Sequence, residues 1–194
     1  MDNKKRIAIF GGSFNPIHNG HIALAQSIVS QGLANEVWLL VSPQNPLKEQ
    51  RDLLDEQQRL SLARKALEGE THIKVSDFEF TLPRPSYTWN TLQALSKAYP
   101  DCEILLLVGA DNWKVFDKWA HYEDILSHYH LLIYPREGYD IDANSLPTNV
   151  NLIDAPLFPI SSTDIRQMVR EGKDIKKYTP ILIEKDIKEL YSYK

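Results

Sequence analysis

Short apolar runs alternate along the chain with segments whose apolar residues recur at helical spacing. The runs have the length of buried strands and predict six of them, at 6–10, 36–42, 72–75, 103–108, 130–134 and 150–153. The third continues as a short extension through Phe78 and Phe80. Helices are predicted at 19–30, 55–67, 88–99, 113–117, 122–127 and 163–171, and a last one starts at Thr179-Pro180.

This order of elements predicts an α/β fold, a Rossmann-like doubly wound sheet that is mostly parallel and has helices on both faces. The length of 194 residues suits a single domain over 1–194, with a small helical C-terminal portion at about 161–194. In the common strand order 3-2-1-4-5, the loops 11–21 and 109–111 follow neighbouring strands. Ligands bind at such a switch point, so we expect both loops to face one cleft.

Charge and cysteine content exclude several classes of protein. The net charge of −4 argues against a dedicated nucleic-acid or membrane-surface binder. The single cysteine, Cys102, can form neither an internal disulfide nor a cysteine-based zinc site, which fits a cytoplasmic protein. The longest purely apolar runs have five residues, too few to span a membrane. The oligomeric state stays open, a homo-oligomer included.

The loop after the first strand carries the most chemistry. Residues 11–21 read GGSFNPIHNGH, which is neither a dinucleotide fingerprint nor a P-loop. Its glycines nevertheless allow backbone N–H groups to approach a phosphate at the start of a helix. We expect His18 and His21 on one face of an exposed first helical turn, where both can donate to phosphate oxygens. The alternatives are a tight turn with capping histidines, or metal binding by the histidine pair.

Three further positions have both a functional and a structural interpretation. Ser161 or Ser162 can cap a helix whose first N–H groups face a phosphate, and Arg166 lies one turn further on. Asp111 either contacts a ribose hydroxyl or Mg²⁺, or ends a plain turn. Trp119 either stacks on a heteroaromatic ring or belongs to the core.

Four segments together resemble the bacterial nicotinate-nucleotide adenylyltransferases of the nucleotidyltransferase superfamily. They are GGSFNPIHNGH at 11–21, PSYTWNTL at 85–92, GAD at 109–111 followed by Phe116 and Trp119, and ISSTDIR at 160–166. The first segment holds the His-x-Gly-His signature of the superfamily, and the others narrow the match. Asn15, Asn90 and Leu47 depart from the family pattern, which usually has Asp, Asp and His there.

The resemblance implies an enzyme of NAD biosynthesis that transfers AMP from ATP to nicotinate mononucleotide and releases pyrophosphate. It implies Mg²⁺ carried by the ATP phosphates, no metal site built from protein side chains, and catalytic roles for His18, His21 and Arg166. The implied ATP-binding residues are Gly11, Gly12, Ser13, Phe14, His18, His21, Gly109, Asp111, Ile160, Ser162, Thr163 and Arg166. The implied mononucleotide-binding residues are Ser13, Asn15, Lys48, Tyr87, Thr88, Trp119 and Arg136.

Two kinds of alternative remain open from the sequence. One lies within the superfamily: an adenylyltransferase for phosphopantetheine, or a cytidylyltransferase. The other is a nucleotide-sensing module that binds its ligand without turnover. Pyrophosphate release from ATP and a mononucleotide would separate an enzyme from a sensor.

Overall fold

The structure, a computed structural model, describes residues 4–43 and 52–192. Within these ranges its strands are β1 (Lys5–Gly12), β2 (Glu36–Val41), β3 (Ile73–Ser76), β4 (Cys102–Gly109), β5 (His130–Tyr134) and β6 (Val150–Leu152). Its helices are α1 (Asn19–Ser30), α2 (Glu56–Ala66), α3 (Thr88–Ala98), α4 (Ala110–Trp113), α5 (Tyr122–His128), α6 (Ser162–Arg170) and α7 (Glu184–Tyr191).

The strands form one sheet in the order β3-β2-β1-β4-β5-β6, and every neighbouring pair is parallel. The predicted fold class and strand order are confirmed, and β6 adds a strand beyond β5. Because β1 and β4 lie side by side at the centre, their carboxyl ends and the loops that follow share one edge of the sheet. This is the edge at which the sequence predicts a ligand.

Successive residues of β1 point to opposite faces of the sheet, and each face carries its own buried cluster. Ala8 and Phe10 pack with residues of α1, α2, α6 and α7, including Leu24, Leu60 and Ile165. Ile7 and Ile9 pack on the other face with residues of α3 and α5, including Leu92 and Ile125. Helices therefore cover both faces, and α6 is held beside the loop after β1.

Three local predictions are wrong. Residues 78–81 form one turn of 3₁₀ helix instead of a strand extension, which buries Glu79 and leaves Phe78 and Phe80 only half-buried. The helix predicted at 113–117 begins at Ala110, directly after β4, and a 3₁₀ turn covers Phe116–Lys118. The last helix begins at Glu184 after a 3₁₀ turn at Ile181–Ile183.

Within residues 4–43 and 52–192, no helix is both long enough and apolar enough to cross a lipid bilayer.

Candidate active site

Three adjoining cavities lie at the carboxyl ends of β1 and β4. The central cavity, about 260 Å³, is lined by both histidines and by Arg166. The tryptophan cavity, about 320 Å³, is lined by Trp119 and the start of α3. The outer cavity, about 440 Å³, is lined by residues 156–161 and Tyr139. Phe10 and Tyr134 line all three, so the cavities form one continuous cleft with the histidines in its middle.

Most of the predicted site residues line this cleft. The central cavity has Gly11, Gly12, Ser13, Phe14, Asn15, His18, His21, Asp111, Arg136, Ser162, Thr163 and Arg166. The tryptophan cavity has Tyr87, Thr88, Gly109 and Trp119. Ile160 lines the outer cavity together with His18, His21, Asp111 and Arg136. Lys48 lies outside the described residues.

The two histidines begin α1 and stack on each other. Their ring centroids are 3.7 Å apart with an interplanar angle of 28°. The backbone N–H of His18 donates to Nδ1 of His21 over 3.2 Å, and the backbone N–H of His21 donates to the His18 carbonyl over 3.0 Å. Because Nδ1 of His21 accepts this hydrogen bond, the donor nitrogen of the His21 ring is Nε2.

The expectation of an exposed first turn is wrong for His18, which is only 4% exposed. Burial, and next the nearby Arg136, lowers the pKa of His18 to about 4. His18 is therefore a neutral donor at physiological pH, and its Nδ1 is buried without a hydrogen-bond partner. An anion bound in the central cavity would give Nδ1 of His18 a hydrogen-bond partner and would balance the positive charge of Arg136.

Gly20 lies between the two histidines, where His18 and Phe158 leave little space for a side chain. A Cβ there would lie 3.0 Å from both Nδ1 of His18 and Cβ of Phe158. We predict that Gly20→Ala leaves the thermal midpoint nearly unchanged, since alanine favours a helix. The displaced His18 ring should lower kcat by about 10- to 100-fold, because misplacing a catalytic group is costly. Steady-state kinetics beside a thermal melt would check this, and an unchanged kcat would contradict it.

Helix α6 brings its N-terminus to the central cavity. Ser161 caps it: its hydroxyl accepts from the N–H of Asp164, and its backbone N–H donates to Asp164 Oδ2 over 2.8 Å. Arg166 contacts the loop after β1, where its Nη1 donates to the carbonyl of Asn15 over 2.8 Å. Its Nη2 lies 3.2 Å from Thr163 Oγ1 in the first turn of α6 and donates to it. Its Nε is buried without a hydrogen-bond partner. The guanidinium is thus fixed in place and retains donor capacity.

Asn15, predicted to bind a ligand, has its side chain fully occupied by the protein. Its Oδ1 accepts from the hydroxyl of Tyr191 over 2.6 Å and from the N–H of Leu54 over 3.2 Å. Its Nδ2 donates to the carbonyl of Asp52 over 2.8 Å. Asn15 therefore links the histidine loop to α7 and to the segment before α2. An aspartate, which the family usually has here, could not donate to the Asp52 carbonyl when ionised.

Arg59 on α2 is a positioning residue that the sequence analysis missed. Its side chain is fully buried and donates to four carbonyls, those of Ser13, Ser42, Pro43 and Leu54, over 2.6–3.0 Å. Burial lowers its pKa. One guanidinium thus ties the histidine loop to the end of β2. No motif signals this role, because helix periodicity cannot tell a buried arginine from an exposed one.

Asp111 and Arg136 face each other across the cleft. Their closest atoms, Oδ1 and Nε, are 3.6 Å apart, and neither atom has a hydrogen-bond partner. Gly109 makes room for this carboxylate, since a Cβ there would overlap Asp111 Oδ1. Arg136 was grouped with Tyr87, Thr88 and Trp119, yet it lines the central and outer cavities and not the tryptophan cavity.

Unpartnered polar atoms concentrate in the cleft. Among the described residues, the buried side-chain atoms without a hydrogen-bond partner are His18 Nδ1, Asp111 Oδ1, Trp119 Nε1, Arg136 Nε and Arg166 Nε. All five belong to residues that line the cleft. Leaving such atoms unpaired is costly, and this cost is expected where a ligand completes the hydrogen bonds.

Metal binding by the two histidines was the alternative interpretation of the loop. Across 4–43 and 52–192, no three His, Cys, Asp or Glu side chains come together as a group that could bind a metal ion. The histidine pair therefore has no third protein ligand in these ranges, whereas its donors suit an anion.

The fold and this cleft define a nucleotidyltransferase-type α/β protein. A model of the cytidylyltransferase-like family matches residues 9–168, from the second half of β1 through the histidine loop to most of α6. The match covers most of the chain, and the chain belongs to this family.

Relatives narrow the assignment. A Bacteroides fragilis protein named "Probable nicotinate-nucleotide adenylyltransferase" is 49% identical over 90% of this chain and 87% of its own length. A Flavobacterium johnsoniae protein of the same name is 43% identical over 90% and 92%. Within the family, the chain belongs with the nicotinate-nucleotide adenylyltransferases, as its motifs indicate.

A solved structure shows the same fold. The Plasmodium falciparum nicotinic acid mononucleotide adenylyltransferase complexed with NaAD superposes with a TM-score of 0.80 at 23% identity. The match covers 98% of each chain. At this identity the likeness concerns the fold alone.

Proposed function

We propose that this protein transfers the adenylyl group of ATP to nicotinate mononucleotide, giving nicotinate adenine dinucleotide and pyrophosphate. The observation that carries the proposal is the three-part cleft, in which anion-binding donors occupy the middle and less polar cavities lie on both sides. A dinucleotide has the same layout, since its phosphates separate two nucleosides.

The central cavity would hold the reacting phosphates. The 5′-phosphate of the mononucleotide attacks the α-phosphorus of ATP in line, the bond from that phosphorus to the bridging oxygen breaks, and pyrophosphate leaves with the electron pair. The nucleophile is already an anion, so no strong general base is needed. Catalysis then consists of positioning and charge stabilisation by His18, His21 and Arg166.

The two outer parts of the cleft would hold the nucleosides. In the outer cavity, Ile160 and the neighbouring residues 156–159 offer an apolar wall for the adenosine of ATP. In the tryptophan cavity, Trp119 offers a ring face and an unpartnered Nε1 donor for the pyridine ring.

Mg²⁺ would arrive with the ATP phosphates, because this ion keeps much of its hydration shell and binds few protein ligands. Asp111, whose Oδ1 has no hydrogen-bond partner and which lines the central cavity, would help to hold the hydrated ion there. When bound, the ion neutralises charge on the phosphates.

Product analysis tests the proposed function. We expect the protein with ATP, Mg²⁺ and nicotinate mononucleotide to release pyrophosphate and form the dinucleotide in equal amounts, detected by a coupled phosphate assay and mass spectrometry. Phosphopantetheine in place of the mononucleotide should give no product. Tight binding of both nucleotides without pyrophosphate release would instead identify a sensor.

We further predict a preference for the acid mononucleotide over the amide. Helix α3 begins at Thr88, and the N–H groups of its first turn have no partners within the helix. A carboxylate can accept from several such donors, whereas the NH₂ group of an amide meets them as another donor. One charged hydrogen bond contributes about 1.5–3 kcal/mol, so kcat/KM should favour the acid by about 10- to 100-fold or more.

Two variants separate the contributions to this preference. Trp119→Ala should lower kcat/KM for both substrates, because packing against the pyridine ring does not depend on the acid group. Thr88→Pro removes one N–H at a helix position that tolerates proline, so it should reduce the preference itself. Equal kcat/KM for acid and amide in the unaltered protein would contradict the prediction.

A further inference from the structure

A buried carboxyl group, Glu79, lines the tryptophan cavity beside Tyr87, Thr88 and Trp119. It is 7% exposed and lies on the 3₁₀ turn Phe78–Thr81. Among the described residues it has no ion-pair partner. A buried carboxyl group without a cation is expensive to ionise, so its place in a ligand cavity calls for a function.

Neutral hydroxyl groups hold Glu79 from three parts of the chain. Thr91 Oγ1 on α3 donates to Oε1 over 3.0 Å, and Ser86 Oγ lies 3.5 Å from Oε2. The side chain of Ser42, after β2, also hydrogen-bonds to it. Glu79 thus fixes the segment 86–88 at the start of α3, whose N–H groups would receive the acid group of the mononucleotide.

We propose that Glu79 determines substrate specificity in this cavity: its protonated form accepts the acid mononucleotide, and its ionised form excludes it in favour of the amide. This inference rests on the proposed function. The carboxyl group of Glu79 and the ligand's carboxylate would share one cavity of about 320 Å³, lined partly by the same segment. Two anions in one such cavity repel each other.

Protonation of Glu79 is therefore linked to binding of the acid. Burial raises the pKa of Glu79, and the three hydroxyl donors oppose this in part. As the pH rises through this pKa, Glu79 ionises and affinity for the acid falls. Other ionisable or charged groups face the same cavity or flank the 3₁₀ turn: Lys118, Tyr87, Tyr134, and Asp77 paired with Arg64.

A comparison of the two mononucleotides removes the influence of groups that face only the shared phosphate and ribose, His18 among them. Such groups contribute equally to both affinities and cancel in the ratio of the two dissociation constants. Lys118 lines the same cavity and also senses the acid group, so the Glu79→Gln variant separates its contribution from that of Glu79. Only a group that senses the acid substituent changes this ratio with pH.

Calorimetric titration of the full chain with nicotinate and nicotinamide mononucleotides tests the proposal. Measurements in buffers of different ionisation enthalpy give the number of protons taken up. Proton uptake that is the same for both ligands comes from groups other than Glu79. We expect binding of the acid to take up more protons than binding of the amide. The ratio of Kd for acid to Kd for amide should rise by about tenfold for each pH unit above the pKa of Glu79 in the free protein.

Glu79→Gln keeps the shape of the side chain and removes its charge. We expect it to abolish the difference in proton uptake and to make the ratio independent of pH, whereas the exposed control Glu68→Gln should behave like the unaltered protein. A pH-independent ratio in the unaltered protein, which needs no variant to fold, would overturn the proposal. So would an unchanged pH dependence in folded Glu79→Gln.

These binding measurements separate the proposal from the proposed function. If both mononucleotides bind but no dinucleotide forms, the proposed function fails while the role of Glu79 is still measured. If neither mononucleotide binds, both are overturned.

Discussion

Replacing His21 by alanine is expected to lower kcat by about 10²–10³-fold, the usual cost of losing one donor that stabilises charge in the transition state. His21 lies at the start of α1, its ring stacks on His18, and its Nδ1 accepts from the His18 backbone, which leaves Nε2 as the donor. The KM for ATP should change much less than kcat, because the contact strengthens as charge develops on phosphorus. Steady-state kinetics at saturating ATP would measure both.

His72→Ala is the matched control for this prediction, because His72 is an exposed histidine at the amino end of β3, on the opposite edge of the sheet. It should retain full activity. His18→Ala should also lower kcat, but His18 is buried, so this variant should lose stability too. A His21→Ala protein with normal turnover and an unchanged melt would show that the histidine pair does not act on phosphate.

Arg166→Ala is expected to raise the KM for ATP by about 10- to 100-fold, the loss of one or two charge-assisted hydrogen bonds. Two of its nitrogens are held by Asn15 and Thr163, so the guanidinium is oriented before the ligand arrives. A further fall in kcat is expected if the contact tightens on the departing pyrophosphate. Initial rates over a range of ATP concentrations separate the two effects.

Arg166→Lys should restore only part of the loss. A lysine can keep a charge near the phosphates but cannot hold the Asn15 carbonyl and a phosphate with one planar group. Arg64→Ala, which removes an exposed arginine paired with Asp77 on the surface, is the control and should leave ATP kinetics unchanged. Unchanged ATP kinetics in both Arg166 variants would show that Arg166 has a structural role and does not bind ATP.

The fold could be predicted from the sequence because its signals are local. Buried parallel strands need short apolar runs, and amphipathic helices need apolar residues at helical spacing. Both patterns are visible without knowing which elements touch. The loop 11–21 was likewise predictable as a site, since glycines and two histidines three residues apart mark one helical turn at the end of a strand.

Positions 78–80 show where local signals fail. Phe78 and Phe80 alternate with a charged residue, and this pattern predicts a short extension of the third strand. In the folded chain, hydroxyl groups from Ser42, Ser86 and Thr91 surround this carboxyl group, and the segment turns it inward. Two of these partners lie 7 and 12 residues further along the chain and the third precedes β3, so the alternation within 78–80 does not reveal them.

The sequence by itself determined the order of the strands, the edge at which the site lies, and the chemical types of the residues there. Only the tertiary structure decided which of them are available to a ligand. Asn15 and Arg59 are both polar and both close to the site, yet their side chains hydrogen-bond to protein groups in four segments. His18 is buried against Gly20 and Phe158, which makes it a neutral donor. The physical reason is that burial and hydrogen-bond satisfaction depend on residues far apart in the chain, whereas strands and helices depend on near neighbours.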